Sequence, residues 1–139
     1  MVLSDVWDYL DDPVKRAFRS VGAESDRVRT RKLLGALALM SDTEPASRIV
    51  RDIQDQEGIS LDMPEELVGD PNGPPDINDL SPCVRETLEF FKMHRIRQVS
   101  TARLATRLLQ LGRGSTVRAL EQEGVLDDYV SKLNDLWNK

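Results

Sequence analysis

The chain has 139 residues, a formal net charge of -5, and 40% hydrophobic residues of which few are aromatic. That length suits a single domain, and a core built mainly from aliphatic side chains favours helices packed on helices. The acidic balance argues against a general nucleic-acid binder, because phosphate contacts need a net or locally dominant basic field. A lone cysteine, Cys83, excludes an intrachain disulfide and points to a reducing compartment. The opening MVLSDVWDYLDD carries acids where a secretory leader is basic, and no run approaches the roughly 18 apolar residues of a membrane span. A cytoplasmic protein without membrane segments is expected.

Asp12-Pro13 sets a capping side chain before a proline, which suits a first helical turn. The helix it opens carries Val14, Ala17, Phe18 and Val21 on one face. Thr30 is expected to cap a second helix with Leu33, Leu34 and Leu37 buried. After the SDTEP turn, Ala46, Ile49, Val50 and Ile53 form the apolar stripe of a third helix, ended by Gly58 in the left-handed conformation. A short closing helix is predicted around Pro64 to Val68. Residues 69–79, rich in Gly, Pro, Asp and Asn, read as a linker.

The pattern then returns. Ser81-Pro82 opens a helix with Val84, Thr87, Leu88 and Phe91, and Thr101 is expected to cap one with Leu104, Leu108 and Leu109. A Gly112-Arg113-Gly114 turn leads to a helix carrying Val117 and Leu120, which Gly124 ends. The last helix, Leu126 to Trp137, presents Tyr129, Val130, Leu133 and Leu136. Thr30 aligns with Thr101 at an offset of 71, and Gly58 with Gly124 at an offset of 66. The chain therefore reads as one all-α domain over 1–139, made of two internal repeats at about 10–68 and 80–137 packed around a pseudo-twofold axis. Trp7 and Trp137, near the two ends, either seal the core or contact a neighbouring domain.

This double pattern resembles the N-terminal domain of the Clp (caseinolytic protease) family of hexameric unfoldase ATPases, a duplicated four-helix repeat. Val28, Thr30, Leu33, Leu34, Gly35 and Leu37 match the family's leucine-helix opening, as do Val99, Thr101, Leu104 and Leu108 in the second copy. Gly112-Arg113-Gly114, and Leu120 followed by Gly124-Val125, match its later turn and helix end. The resemblance implies docking of a protein or peptide: a Clp-type adaptor, a substrate or the ATPase itself. Some Clp relatives use glutamates after the Thr to bind phosphorylated arginine. Here Arg31-Lys32 and Ala102-Arg103 stand at those places, and an arginine repels a guanidinium, so that activity is not carried over.

No acid occurs from Phe90 to Leu120, while Lys92, Arg95, Arg97, Arg103, Arg107, Arg113 and Arg118 all do. One reading is a solvated face balanced by an acidic loop. The sharper one is a partner-binding edge for acidic peptides, built from Thr30, Arg31, Lys32, Thr101, Ala102, Arg103 and Arg107. Single-stranded nucleic acid fits poorly, because Phe90 and Phe91 are expected to face the core and leave no rings for bases. His94 reads as a surface or helix-end residue, and a single histidine makes no metal site here. Phosphate-loop and catalytic-triad signatures are missing, so neither a cofactor nor catalysis is expected. The sequence thus points to a non-catalytic protein-binding module. The alternative is an N-terminal sensing or association domain of a larger regulatory protein that is not an unfoldase.

Overall fold

The computed structural model describes residues 5–24, 27–40, 44–67, 79–111 and 114–137. Most of the 69–79 linker, Val68, Gly112 and Arg113 lie outside these residues. Seven α-helices account for most of the described chain: α1 (Asp12–Glu24), α2 (Thr30–Leu39), α3 (Pro45–Asp55), α4 (Pro82–Met93), α5 (Thr101–Gln110), α6 (Ser115–Gln122) and α7 (Leu126–Trp137). The class is all-α. A short 3₁₀ turn at Trp7–Tyr9 precedes α1 and buries Trp7.

Each predicted apolar stripe faces one common core. Phe18, Leu33, Leu34, Leu37, Ile53, Leu88, Leu104, Leu108, Leu109, Leu120 and Leu133 are all fully buried. Burial of these side chains, at about 1.5–3 kcal/mol each, is the main term opposing chain entropy. Helix α2 packs on α1 and α3, α5 packs on α4 and α7, and α3 lies across both α5 and α7, so the core is continuous.

Two short parallel pairings fasten the segments that lead into the helices. Strand β1 (Arg27–Val28), which leads into α2, pairs with β2 (Asp79–Leu80), which leads into α4. Leu10, which leads into α1, makes a parallel bridge with Val99, which leads into α5. The bonds correspond one to one: the Ser81 N–H donates to the Val28 carbonyl at 2.9 Å, and the Asp11 N–H donates to the Val99 carbonyl at 3.0 Å. In both cases the residue before a first helix holds the residue two places before the second helix of the other half. Pairing by two residues or fewer gives little stability by itself, but it fixes which helix starts lie side by side.

The helix ends differ from expectation in detail. Thr30 and Thr101 are not caps; each is the first helical residue, and the caps are Arg29 and Ser100. Only the Ser100 hydroxyl closes a capping bond, accepting from the Arg103 N–H at 3.2 Å. Helix α1 begins one residue early, with the Asp11 carbonyl accepting its first helical bond from Lys15. Gly58 and Gly124 end α3 and α6 at φ of 68° and 71°, as read from the sequence. Helix α4 ends the same way with Arg95 at φ 53°, a backbone state that disfavours a side chain and that the sequence did not signal.

No helix forms over residues 64–67. Instead, the backbone of residues 61–63, where the Met63 N–H donates to the Leu61 carbonyl at 3.1 Å, crosses α2 at Gly35, where an added Cβ would overlap the Asp62 carbonyl and sit 2.8 Å from the Met63 nitrogen. Side-chain acceptors hold this segment: the Leu61 N–H donates to Gln54 Oε1 at 3.1 Å and the Glu65 N–H to Glu24 Oε1 at 3.2 Å. Pro64 and these outside bonds replace the local bonding that a helix would need.

Candidate functional site at three helix starts

The parallel register of β1 and β2 sends both chains into helices at the same end, so the starts of α2 and α4 are neighbours. The Cys83 thiol donates to the Leu111 carbonyl at 3.7 Å, tying the first turn of α4 to the end of α5, from which the chain enters α6. The starts of α2, α4 and α6 consequently border one cavity of about 560 Å³.

None of these three starts has a side-chain cap: Arg29, Ser81 and Gly114 stand at the cap positions without a capping bond. A helix start leaves its first N–H groups without intrahelical partners and carries roughly half a positive charge. Among the described residues, Arg27, Arg29 and Arg31 line the same space together with the acid Asp62. Arg31 Nη2 lies 3.4 Å from Asp62 Oδ1 in a half-exposed ion pair. Polar atoms here remain unmatched: the Ser81 and Thr116 hydroxyls and Arg31 Nε are buried without hydrogen-bond partners. Thr116 is only 4% exposed. The arrangement gathers donors and positive charge around a space with no aromatic ring in its lining.

The other pair of helix starts is built differently. Asp11, Ser100 and Arg103 border an open groove of about 570 Å³ with Arg95, Arg97 and Trp137. The Arg103 guanidinium lies over the Trp137 ring at 4.7 Å. Trp137 Nε1 in turn donates to Thr106 Oγ1 at 3.2 Å. Burial and the neighbouring Asp12 carboxylate push the Asp11 carboxyl above its ordinary value, against the opposing pull of Arg103 and Lys15. Here the helix start is capped and its arginine is stacked.

The residues selected from sequence do not form one site. Thr30 and Arg31 reach the three-helix cavity, whereas Lys32 borders a smaller one of about 190 Å³ with Glu24 and Met63. Arg103 belongs to the groove beside Trp137. Thr101 and Ala102 are buried, Thr101 donating to Glu44 Oε2 at 3.4 Å, so neither offers a surface to a partner. Arg107 stacks on the Phe90 ring at 3.7 Å and donates to Gln110. Phe90 packs against the core but is only half-buried, and Phe91 is buried as expected. The Phe90 ring also meets His94, with centroids 4.3 Å apart.

Sequence reading missed Ser81, Cys83, Ser115 and Thr116, because they come from helix starts far from Thr30 in the chain. Ser81-Pro82 had marked a helix start. Only the ladder makes it a neighbour of Thr30.

Among the described residues, no helix is long and apolar enough to cross a membrane, and no group of three or more metal-binding side chains occurs. Comparison with family models, curated proteins and solved structures found no match to this chain, so its geometry and chemistry are the ground for a functional reading.

Proposed function

We propose that the chain is a non-catalytic protein-binding module, a duplicated helical repeat of the Clp N-terminal type, that docks an acidic segment of a partner protein or adaptor. The one-to-one correspondence of the Ser81–Val28 and Asp11–Val99 bonds supports the duplication and its twofold arrangement. The free thiol of Cys83 accords with a reducing, cytoplasmic setting. A single observation carries the docking assignment: three uncapped helix starts and three arginines meet at one cavity. Such a place attracts carboxylates and other anions, through fixed dipoles as well as mobile charges.

The experiment is fluorescence anisotropy with a labelled glutamate-rich peptide, using the wild type, Arg31→Glu and Arg103→Glu, with melting curves for each. Reversal of Arg31 places a carboxylate against the incoming acid and should weaken binding roughly 10-fold or more. Arg103→Glu should leave this binding unchanged, since Arg103 lies in the separate groove beside Trp137. Equal binding by wild type and Arg31→Glu, with equal melting temperatures, would remove the cavity from the docking surface.

A further inference from the structure

The acid-free run from Phe90 to Leu120 folds so that four of its arginines gather on a face separate from the three-helix cavity. Arg103 and Arg107 stand one turn apart on α5, a rise of about 6 Å, and both are partly exposed. Rings flank them on both neighbouring helices. Trp137 of α7 lies under the Arg103 guanidinium at 4.7 Å, and Phe90 of α4 lies under that of Arg107 at 3.7 Å with His94 against it at 4.3 Å. The chain leaving α4 then brings the exposed Arg95 and Arg97 to the groove of about 570 Å³ that Arg103 and Trp137 border.

None of these four cations serves the chain's own acids. Among the described residues, no carboxylate lies within ion-pair distance of Arg95, Arg97, Arg103 or Arg107, whereas Lys92 of the same run pairs with Asp5 at 3.8 Å. Asp11 borders the groove and feels the field of Arg103 without pairing with it. In a chain with 24 acids and a net charge of -5, four arginines kept apart from them mark a face matched to negative charge from outside.

The form of the cations decides what carries that charge. An acidic protein segment needs charge alone, which lysine supplies as well, but all four are arginine and two are laid on rings. A guanidinium held in this way has N–H groups at its edge for phosphate oxygens and a planar face on which a nucleobase stacks. Phe90 and Trp137 are themselves only half-buried, so rings stand at the basic face after all, one of them brought from the far end of the chain. The acidic total does not oppose this, because phosphate contacts need positive charge where the strand lies.

We propose that this face, centred on Arg103 and Arg107 between Trp137 and Phe90, binds a short stretch of single-stranded nucleic acid. Arg95 and Arg97 hold phosphates at the groove, and the ring-backed planes of Arg103 and Arg107 take bases. A duplex keeps its bases stacked inside and leaves these planes unused. The face is distinct from the cavity assigned to acidic protein segments and does not depend on that assignment.

The test titrates the full chain into a short labelled RNA of mixed sequence, the DNA of the same sequence, the corresponding DNA duplex and the labelled glutamate-rich peptide, all followed by anisotropy. Single strands should bind roughly 5-fold tighter than the duplex or better, because only they expose bases for stacking. Their affinity should fall with salt at a log–log slope of about -3, as expected when about four phosphates are neutralised. Of the two tryptophans Trp7 is buried, so quenching of tryptophan emission by the strand and not by the peptide places the ligand at Trp137. Arg97→Glu, at an exposed position, should weaken strand binding roughly 5-fold or more. Arg103→Lys and Arg107→Lys keep the charge and lose the plane, so each should weaken strand binding severalfold and leave peptide affinity unchanged. Melting curves check the fold of every variant.

No binding of either single strand at low salt would overturn the proposal. Equal binding of strand and duplex, undiminished in both lysine variants, would also overturn it by reducing the face to a general basic patch. Loss of peptide binding in Arg97→Glu with no strand bound would assign the face to acidic protein segments, and would move the docking surface proposed above as well. A preference for RNA or for DNA would support the proposal and name the strand's sugar.

Discussion

At the scale of residues, the protein separates donors that are satisfied from donors that are kept open. Ser100 closes the start of α5 through the Arg103 N–H, whereas Ser81, at the matching place before α4, leaves its hydroxyl unpaired beside the cavity. Tyr129 is a satisfied case of a different kind. Its hydroxyl donates to Glu57 Oε2 at 3.2 Å, joining α7 to the end of α3. Burial, the Glu57 bond and the charges of Glu57 and Asp52 push the phenol from 10.0 up to about 12. A folded-state value above the unfolded one means that this contribution is complete below pH 10 and is lost as the pH rises towards 12. Tyr129→Phe should therefore be less stable at neutral pH by about 1 kcal/mol. The deficit should shrink through the alkaline range, and denaturant titrations of both proteins at neutral and alkaline pH measure it directly.

At the scale of elements, the two leucine helices share a pattern and differ in what covers them. Helix α5 carries Thr106 where α2 carries Gly35, at the same offset of 71. On α5 the covering element is α7, whose Trp137 bonds Thr106. Along α2, main chain at Asp62 and Met63 crosses close at Gly35. That approach requires glycine, because the obstacle is main chain and not a movable side-chain end. Gly35→Ala should thus destabilise the protein by about 1–3 kcal/mol, despite the better helix propensity of alanine. Chemical denaturation checks this, and a stabilised variant would mean that the segment is free to lift away. Asp62, carried on the same segment, should shift along with it and loosen the Arg31 pair.

For the whole molecule, the decisive feature is that neither half closes on itself. The lead-in to α1 pairs with the lead-in to α5, the lead-in to α4 pairs with the lead-in to α2, and α3 packs on α5 and α7. A unit of about 60 residues buries too little apolar surface to be comfortably stable alone. Separate fragments 1–67 and 79–139 should each show weak helicity and no cooperative melting, whereas an equimolar mixture should recover helicity and a single transition by circular dichroism. Cooperative melting of either fragment alone would show that the exchanged pairings are incidental to stability.

Helix existence was legible because period and punctuation are local. Val14, Ala17, Phe18 and Val21 mark a face by spacing alone, and Gly58 and Gly124 mark ends by their tolerance of positive φ. The site was legible only in part. Arg31 was identified from its charge at a helix start, but Thr101 and Ala102, chosen by the same logic, fell into the packing between helices. Cap identity failed at Thr30 and Thr101 because a Ser or Arg one place earlier satisfies the same geometry, and propensity cannot separate neighbours. The predicted helix after Pro64 failed over residues 64–67, where the Glu65 N–H bonds to Glu24, distant in sequence, and not to a local carbonyl.

By itself, then, the sequence determined the all-helical class and the leucine-rich core, since each follows from interactions within a few turns of chain. The tertiary structure decided which helix starts meet, which arginines stay at a cavity and which stack on rings, and where a chain crossing demands Gly35. Those outcomes depend on which distant backbone groups pair and on what remains unpaired afterwards, and no local pattern encodes them.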